Sequence, residues 1–122
     1  MLRQGPISAF LHGLAEYLEA ALLIAAPFLL GFDSDAARAV AIVLGVAVIV
    51  LTATTDAPAG LSRTVPVGLH VVFDLALAGL LIAAPFLFNF SDESSPTAFF
   101  IVLGVAHLLL TLATRFLPPR AQ

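Results

Sequence analysis

Four long apolar stretches, at 7–31, 37–55, 66–90 and 97–117, are separated by short polar breaks: DSDAAR at 33–38, DAPAGLSR at 56–63 and SDESSP at 91–96. Each stretch approaches or exceeds the ~20 residues that a helix needs to cross the hydrocarbon core of a bilayer. Helix is the form to expect there, because an open strand would leave backbone groups unpaired in lipid. The short breaks make consecutive helices antiparallel neighbours. Pro6, Pro66 and Pro96 stand where first-turn prolines belong, with Thr64 and Ser94 or Ser95 as N-caps.

The pattern repeats. Residues 22–32 read LLIAAPFLLGF and residues 80–90 read LLIAAPFLFNF, identical at nine of eleven positions and 58 residues apart. IVLGVA at 42–47 returns at 101–106, now 59 residues apart. The reading is therefore one membrane domain over 1–122 made of two tandem helical hairpins, 6–56 and 64–117. Each unit crosses twice and enters from the same side. This predicts an all-α bundle of four transmembrane helices with a pseudo-two-fold axis along the membrane normal. Ala21 and Ala25 map onto Gly79 and Ala83, a small-xxx-small pair that would let helices approach closely, and Gly45 and Gly104 suit the same use on the other helices. Pro27 and Pro85 fall inside helical runs, where each removes a backbone donor, and are read as structural kinks near the outer ends.

Composition agrees. Hydrophobic residues make up 61 % of the chain and charged residues 11 %, against roughly 45–50 % and ~25 % in soluble domains. A chain this small has too little interior to hide so much apolar surface from water, so the lipid bilayer is its first partner. A net charge of −3 and the lack of a basic face argue against a nucleic-acid partner. Cysteine is absent, which removes disulfides and thiolate ligands. Of the five arginines, Arg3, Arg63, Arg115 and Arg120 fall on one side and Arg38 on the other. By the positive-inside rule the chain is a multi-pass protein of the plasma (inner) membrane with both termini cytoplasmic. The first segment is read as retained rather than as a signal peptide, because His12, Glu16 and Glu19 interrupt it and its pattern returns inside the chain.

The repeat resembles the SPW-repeat family of small bacterial membrane proteins. In that family each two-helix unit carries a Ser-Pro-Trp-type motif late in its first helix, often followed by Gly-Phe. Here those positions read Ala26-Pro27-Phe28 with Gly31-Phe32, and Ala84-Pro85-Phe86 with Asn89-Phe90. The resemblance covers nearly the whole chain and implies the architecture without implying a chemistry.

The residues that lipid should exclude carry the functional information. His12 and Glu16 are four apart, as are His70 and Asp74, and the pairs are in register at the 58-residue spacing. Such spacing puts imidazole and carboxylate on one helix face. Glu19 continues that face where the repeat mate is Leu77, and His107 lies on the fourth segment with Thr111 and Thr114 following. At ~1.5 Å per residue, Asp74 lies about 12 Å in from Pro66, Glu16 about 15 Å from Pro6 and His107 about 12 Å from Arg115, so these three would share a layer. The threonines of the even helices (Thr52, Thr55, Thr111, Thr114) fall level with His12 and His70. Buried ionisable groups in membranes cost at least ~2.5–3.5 kcal/mol each near the centre and should face the bundle interior.

Three readings compete for the cluster. In the first, each imidazole bonds its own carboxylate and the cluster fixes helix register. In the second it is a vestibule that exchanges protons or another cation. In the third, His12, Glu16, His70 and Asp74 are N/O ligands for zinc, iron or manganese, or the site holds haem. No phosphate-binding loop or nucleophile–base arrangement occurs, and the expectation is of a protein that is not an enzyme and carries no obligatory cofactor. The function expected is a structural or accessory one, in a homo-oligomer or a larger membrane complex, with a proton-coupled or metal- or haem-handling protein as the alternative. Phe86, Phe88, Phe90, Phe99 and Phe100 are expected as outer interfacial anchors or a partner surface.

Overall fold

The computed structural model describes residues 5–116. Arg3, Arg120 and the final residue of the second repeat, Leu117, lie outside these. Four helices follow one another: α1 (Ala9–Leu29), α2 (Asp35–Thr54), α3 (Val67–Leu87) and α4 (Ser94–Leu112). Each is long and apolar enough to cross a membrane. Two-residue strands, β1 (Ile7–Ser8) and β2 (Thr114–Arg115), flank the set and pair in parallel.

Pro96 lies in the first turn of α4 as expected, whereas the starts of α1 and α3 differ from the proline-based expectation. Ser8, not Pro6, caps α1 by accepting the Leu11 N–H at 3.1 Å, because Ile7 and Ser8 are drawn into the pairing with β2. Ser34 caps α2 in the same way through Ala37. Pro66 itself is the N-cap of α3, which leaves Thr64 in the loop, and α4 begins at Ser94 behind Glu93.

The duplicated stretch turns out to end helices. Pro27 and Pro85 lie in the last turns of α1 and α3, whose final residues are Leu29 and Leu87. The Pro27 carbonyl accepts the Phe32 N–H at 3.0 Å, and the Pro85 carbonyl accepts the Phe90 N–H at 2.9 Å. Between them Gly31 (φ 64°) and Asn89 (φ 60°) adopt the left-handed conformation. That combination, a six-to-one bond over a left-handed glycine or asparagine, is the Schellman ending. Phe32 and Phe90 then fold back as buried residues. This corrects the expectation for Phe90 and also for Phe100: both are core, in ring contact with each other at 5.2 Å. Phe86 and Phe88 do face outward.

Packing is tight within hairpins and sparse between them: α1 lies along α2 and α3 along α4. Gly45 and Gly104 make this possible. A Cβ on Gly45 would sit 2.9 Å from the Ala20 carbonyl oxygen and 2.7 Å from Ile24 Cγ1; on Gly104 it would meet the equivalent Ala78 oxygen at 3.1 Å and Ile82 Cγ1 at 2.7 Å. Ala21 and Gly79 face outward instead, and space around Gly79 is open. The close approach therefore belongs to Ala20 and Ala78, one position earlier, against the even-helix glycines.

Both ends of the bundle carry ties between the repeats, and those at one end are symmetric. At the end holding both described termini, Thr114 pairs with Ile7 and Thr55 pairs with Val65, positions related by the repeat spacing. Thus α4 is joined to α1 as α2 is to α3. At the opposite, hairpin-loop end, the Glu93 carboxylate accepts the Asp33 and Ser34 N–H groups at 2.7 and 2.9 Å, crossing from one repeat to the start of α2 in the other. Negative charge there suits a helix N-terminus.

Gly45→Ala should lower the unfolding temperature in detergent, by the equivalent of about 1–2 kcal/mol, since a methyl would press on backbone. Gly79→Ala should be neutral or stabilising by up to ~1 kcal/mol through helix propensity. Equal effects from the two would sink this account of the packing.

Candidate functional site

The polar residues converge where the two hairpins meet. His12, Glu16 and Glu19 on α1, His70 and Asp74 on α3, and His107 on α4 are all buried. His12 and Glu16 are one turn apart on α1, and α3 supplies the same pair across the pseudo-axis. Each imidazole therefore meets both carboxylates through Nε2. His12 Nε2 lies 3.0 Å from Glu16 Oε2 and 3.0 Å from Asp74 Oδ2. His70 Nε2 lies 2.8 Å from Glu16 Oε1 and 3.2 Å from Asp74 Oδ2. The four groups close a ring, and one ligand atom from each lies within 4.8 Å of all the others.

Each imidazole is held from behind by a threonine. His70 Nδ1 is 2.6 Å from Thr55 Oγ1, and His12 Nδ1 is 2.9 Å from Thr114 Oγ1. Both hydroxyls also lie 2.6 Å from the carbonyl four residues back, Leu51 or Leu110. A carbonyl can only accept, so the hydroxyl hydrogen goes to it and the hydroxyl oxygen accepts from Nδ1–H. The Nε2 atoms consequently face carboxylate oxygens with no proton of their own if the ring is neutral. A lone pair against a carboxylate at 2.8–3.2 Å is repulsive in a low-dielectric interior, so positive charge must lie between them, as a proton or a metal ion.

Beyond the ring the symmetry breaks. Thr52 donates to Glu16 Oε1 at 3.0 Å, whereas its repeat mate Thr111 has no hydrogen-bond partner among the described residues, in keeping with an Asp74 side chain one methylene shorter than that of Glu16. His107 Nδ1 lies 2.8 Å from Glu19 Oε1, and its Nε2 faces Asp74 Oδ1 at 3.4 Å. The repeat mates of Glu19 and His107 are Leu77 and Val48. Among the described residues, the buried side-chain atoms without a hydrogen bond are Glu19 Oε2, Asp74 Oδ1, His107 Nε2 and Thr111 Oγ1, all around this second pair. The groove between α4 and α1, about 160 Å³, is lined by Glu19 and His107, while its mate between α2 and α3, about 340 Å³, is lined by Val48, Phe73 and Leu77.

The expected residues are thus all brought together, and Glu16, Asp74 and His107 do share a layer. The expectation that each imidazole would satisfy its own helix's carboxylate accounts for only half of the contacts. Three contributors were not anticipated. Phe116 stands edge-on to His12 with ring centroids 4.8 Å apart. Tyr17 donates to the Ala59 carbonyl at 3.0 Å, pinning the 56–65 loop beside Gly13, where a Cβ would lie 2.4 Å from Ala59 Cβ. Beneath this loop a cavity of about 20 Å³ is lined by His12, Glu16, Thr52, His70 and Phe116, large enough for one water-sized occupant. The polar tip of a lone tyrosine on an apolar helix was the available signal for the second contact.

No curated protein and no solved structure matches the chain. The family model of the SPW repeat domain matches residues 10–114, which spans all four helices and both polar pairs. With four apolar helices of membrane-crossing length, the chain is a small polytopic membrane protein, and it belongs to the SPW repeat family.

Proposed function

We propose that this protein is an accessory membrane component that holds positive charge inside its bundle, taking it from the cytoplasmic face and keeping it at the His12–Glu16–His70–Asp74 ring. The observation that carries the reading is the threonine anchoring of both imidazoles, which turns Nε2 of each ring onto two carboxylates. Three imidazoles face three carboxylates, so the network is neutral when each imidazole holds a second proton. That supports the cation-holding reading over one of register alone, in which a single pair per helix would suffice.

Holding, rather than passing, follows from the opposite half of the bundle. Between the polar layer and the hairpin-loop end the interior is Leu23, Leu81, Ala26, Ala84, Phe32, Phe90 and Phe100, all buried. An apolar plug of that kind gives a charge no partner on the way through. The water-sized cavity lies beside the ring toward the other end, and the arginine distribution supports reading that end as the cytoplasmic one. A charge reservoir without a private path suits a subunit that serves a larger membrane system.

Nitrogen-15 NMR of histidine-labelled protein in lipid nanodiscs tests the reading directly. At neutral pH, Nε2 of His12 and His70 should carry a proton or a metal ion; a bare lone pair on either would sink the proposal. Proteoliposomes should show no proton leak above empty vesicles, and a protein-dependent leak would replace holding with transport. Thr55→Val should destabilise the protein by about 1–3 kcal/mol, the cost of leaving a buried Nδ1–H without its acceptor, as read from thermal unfolding in detergent.

A further inference from the structure

The four groups of the ring are arranged as a metal site. We propose that His12 and His70, each through Nε2, with Glu16 and Asp74 bind one divalent first-row transition-metal ion. The inference rests on the cation-holding reading and names the cation.

Four features of the chain carry it. The first is the ring's geometry. All four imidazole–carboxylate separations fall between 2.8 and 3.2 Å. Glu16 offers one oxygen to each imidazole, and with one donor atom per residue the set lies within 4.8 Å. Ligand atoms around a tetrahedral ion at ~2.0–2.2 Å bond length stand about 3.3–3.6 Å apart, so side-chain adjustments of about an ångström bring the four donors onto one ion. The two rings, with centroids 6.1 Å apart and planes at 71°, converge on the centre without stacking.

The second is tautomer control. A histidine that ligates through Nε2 donates Nδ1–H to an outer partner, which fixes ring orientation and raises basicity. Thr55 and Thr114 occupy that position for both rings, and each threonine is itself fixed by its hydrogen bond to the helix carbonyl behind it. The third is charge. Two carboxylates and two neutral imidazoles sum to −2, which a divalent ion cancels, so the centre adds no net charge to a low-dielectric interior. The fourth is room beside the ring: the cavity under the 56–65 loop touches His12, Glu16 and His70 and lies at the end of the bundle that holds Phe116.

The donor set decides the class of ion. Two imidazole nitrogens and two carboxylate oxygens, with no sulfur, suit zinc, iron(II) or manganese(II) better than copper(I) or calcium. Four protein donors close the coordination sphere, as in sites that hold a metal rather than activate a water. His107 stays outside: Glu19 takes its Nδ1, and its Nε2 faces the other oxygen of Asp74 at 3.4 Å without a hydrogen bond.

The test uses full-length, tag-free protein in nanodiscs, stripped with chelator and titrated with Zn²⁺ by calorimetry, elemental analysis and histidine ¹⁵N NMR. One zinc per chain is expected, with the Nε2 signals of His12 and His70 moving together. Co²⁺ should bind at the same stoichiometry and give the visible absorption of a tetrahedral ion. Glu16→Gln or Asp74→Asn should abolish stoichiometric binding, and Asp92→Asn, an exposed carboxylate, should leave it unchanged. Thr55→Val and Thr114→Val remove no ligand and should each weaken binding by about 10–100-fold, which keeps the test decisive if the carboxamide variants do not fold. Zinc bound without moving either Nε2 signal, or insensitive to all four ring and threonine variants, overturns the site as surface adsorption. No zinc binding with Nε2 protonated overturns the metal and leaves the cation-holding reading standing. Bare Nε2 lone pairs overturn both.

Discussion

In lipid there is no hydrophobic force to press one apolar helix against another, so helices associate by close packing and by polar contacts. This protein uses the two means in different places. Within each hairpin, Gly45 against Ala20 and Gly104 against Ala78 bring backbones together. Between hairpins backbone approaches are few, and the imidazole–carboxylate ring is the joint. One helix carrying His-x-x-x-acid could satisfy a single pair. Two copies facing each other across an axis give four mutual contacts, so duplication is what converts a helix-surface pair into a closed centre.

The departures from symmetry are few and lie to one side of that centre. Replacing the longer carboxylate of Glu16 by the shorter one of Asp74 frees Thr111 and exposes Asp74 Oδ1 to His107. Replacing a Leu77–Val48 pair by Glu19–His107 continues the polar layer along α1 and α4 only. The apolar half of the bundle is left intact. The result is a polar interior nearer the end that holds β1 and β2 and an apolar core toward the hairpin loops.

Helix termination matters as much as helix formation. The longest conserved-in-repeat stretch does not line the centre; it ends α1 and α3 with a left-handed residue and turns Phe32 and Phe90 back into the core. Those two phenylalanines, with Phe100, form the apolar plug. The same stretch therefore fixes helix length, sets the loop and closes the bundle.

The sequence by itself determined the number of helices, their pairing into equivalent hairpins and the face shared by His12 with Glu16 and His70 with Asp74. These follow from periodicities along one chain: 3.6 residues per turn and the 58- and 59-residue repeats. It also placed Thr55 and Thr114 level with the histidines without saying which atoms they touch, whereas Thr52, expected at the same level, meets the carboxylate of Glu16 instead. The start of α1, the burial of Phe90 and Phe100 and the crossing of each imidazole to the other helix's carboxylate were decided by tertiary structure. Each depends on what lies across a gap between segments distant in sequence, such as Ile7 beside Thr114 or Ala59 beside Gly13. Spacing along a helix says which side chains share a face; only the packed bundle says what that face meets.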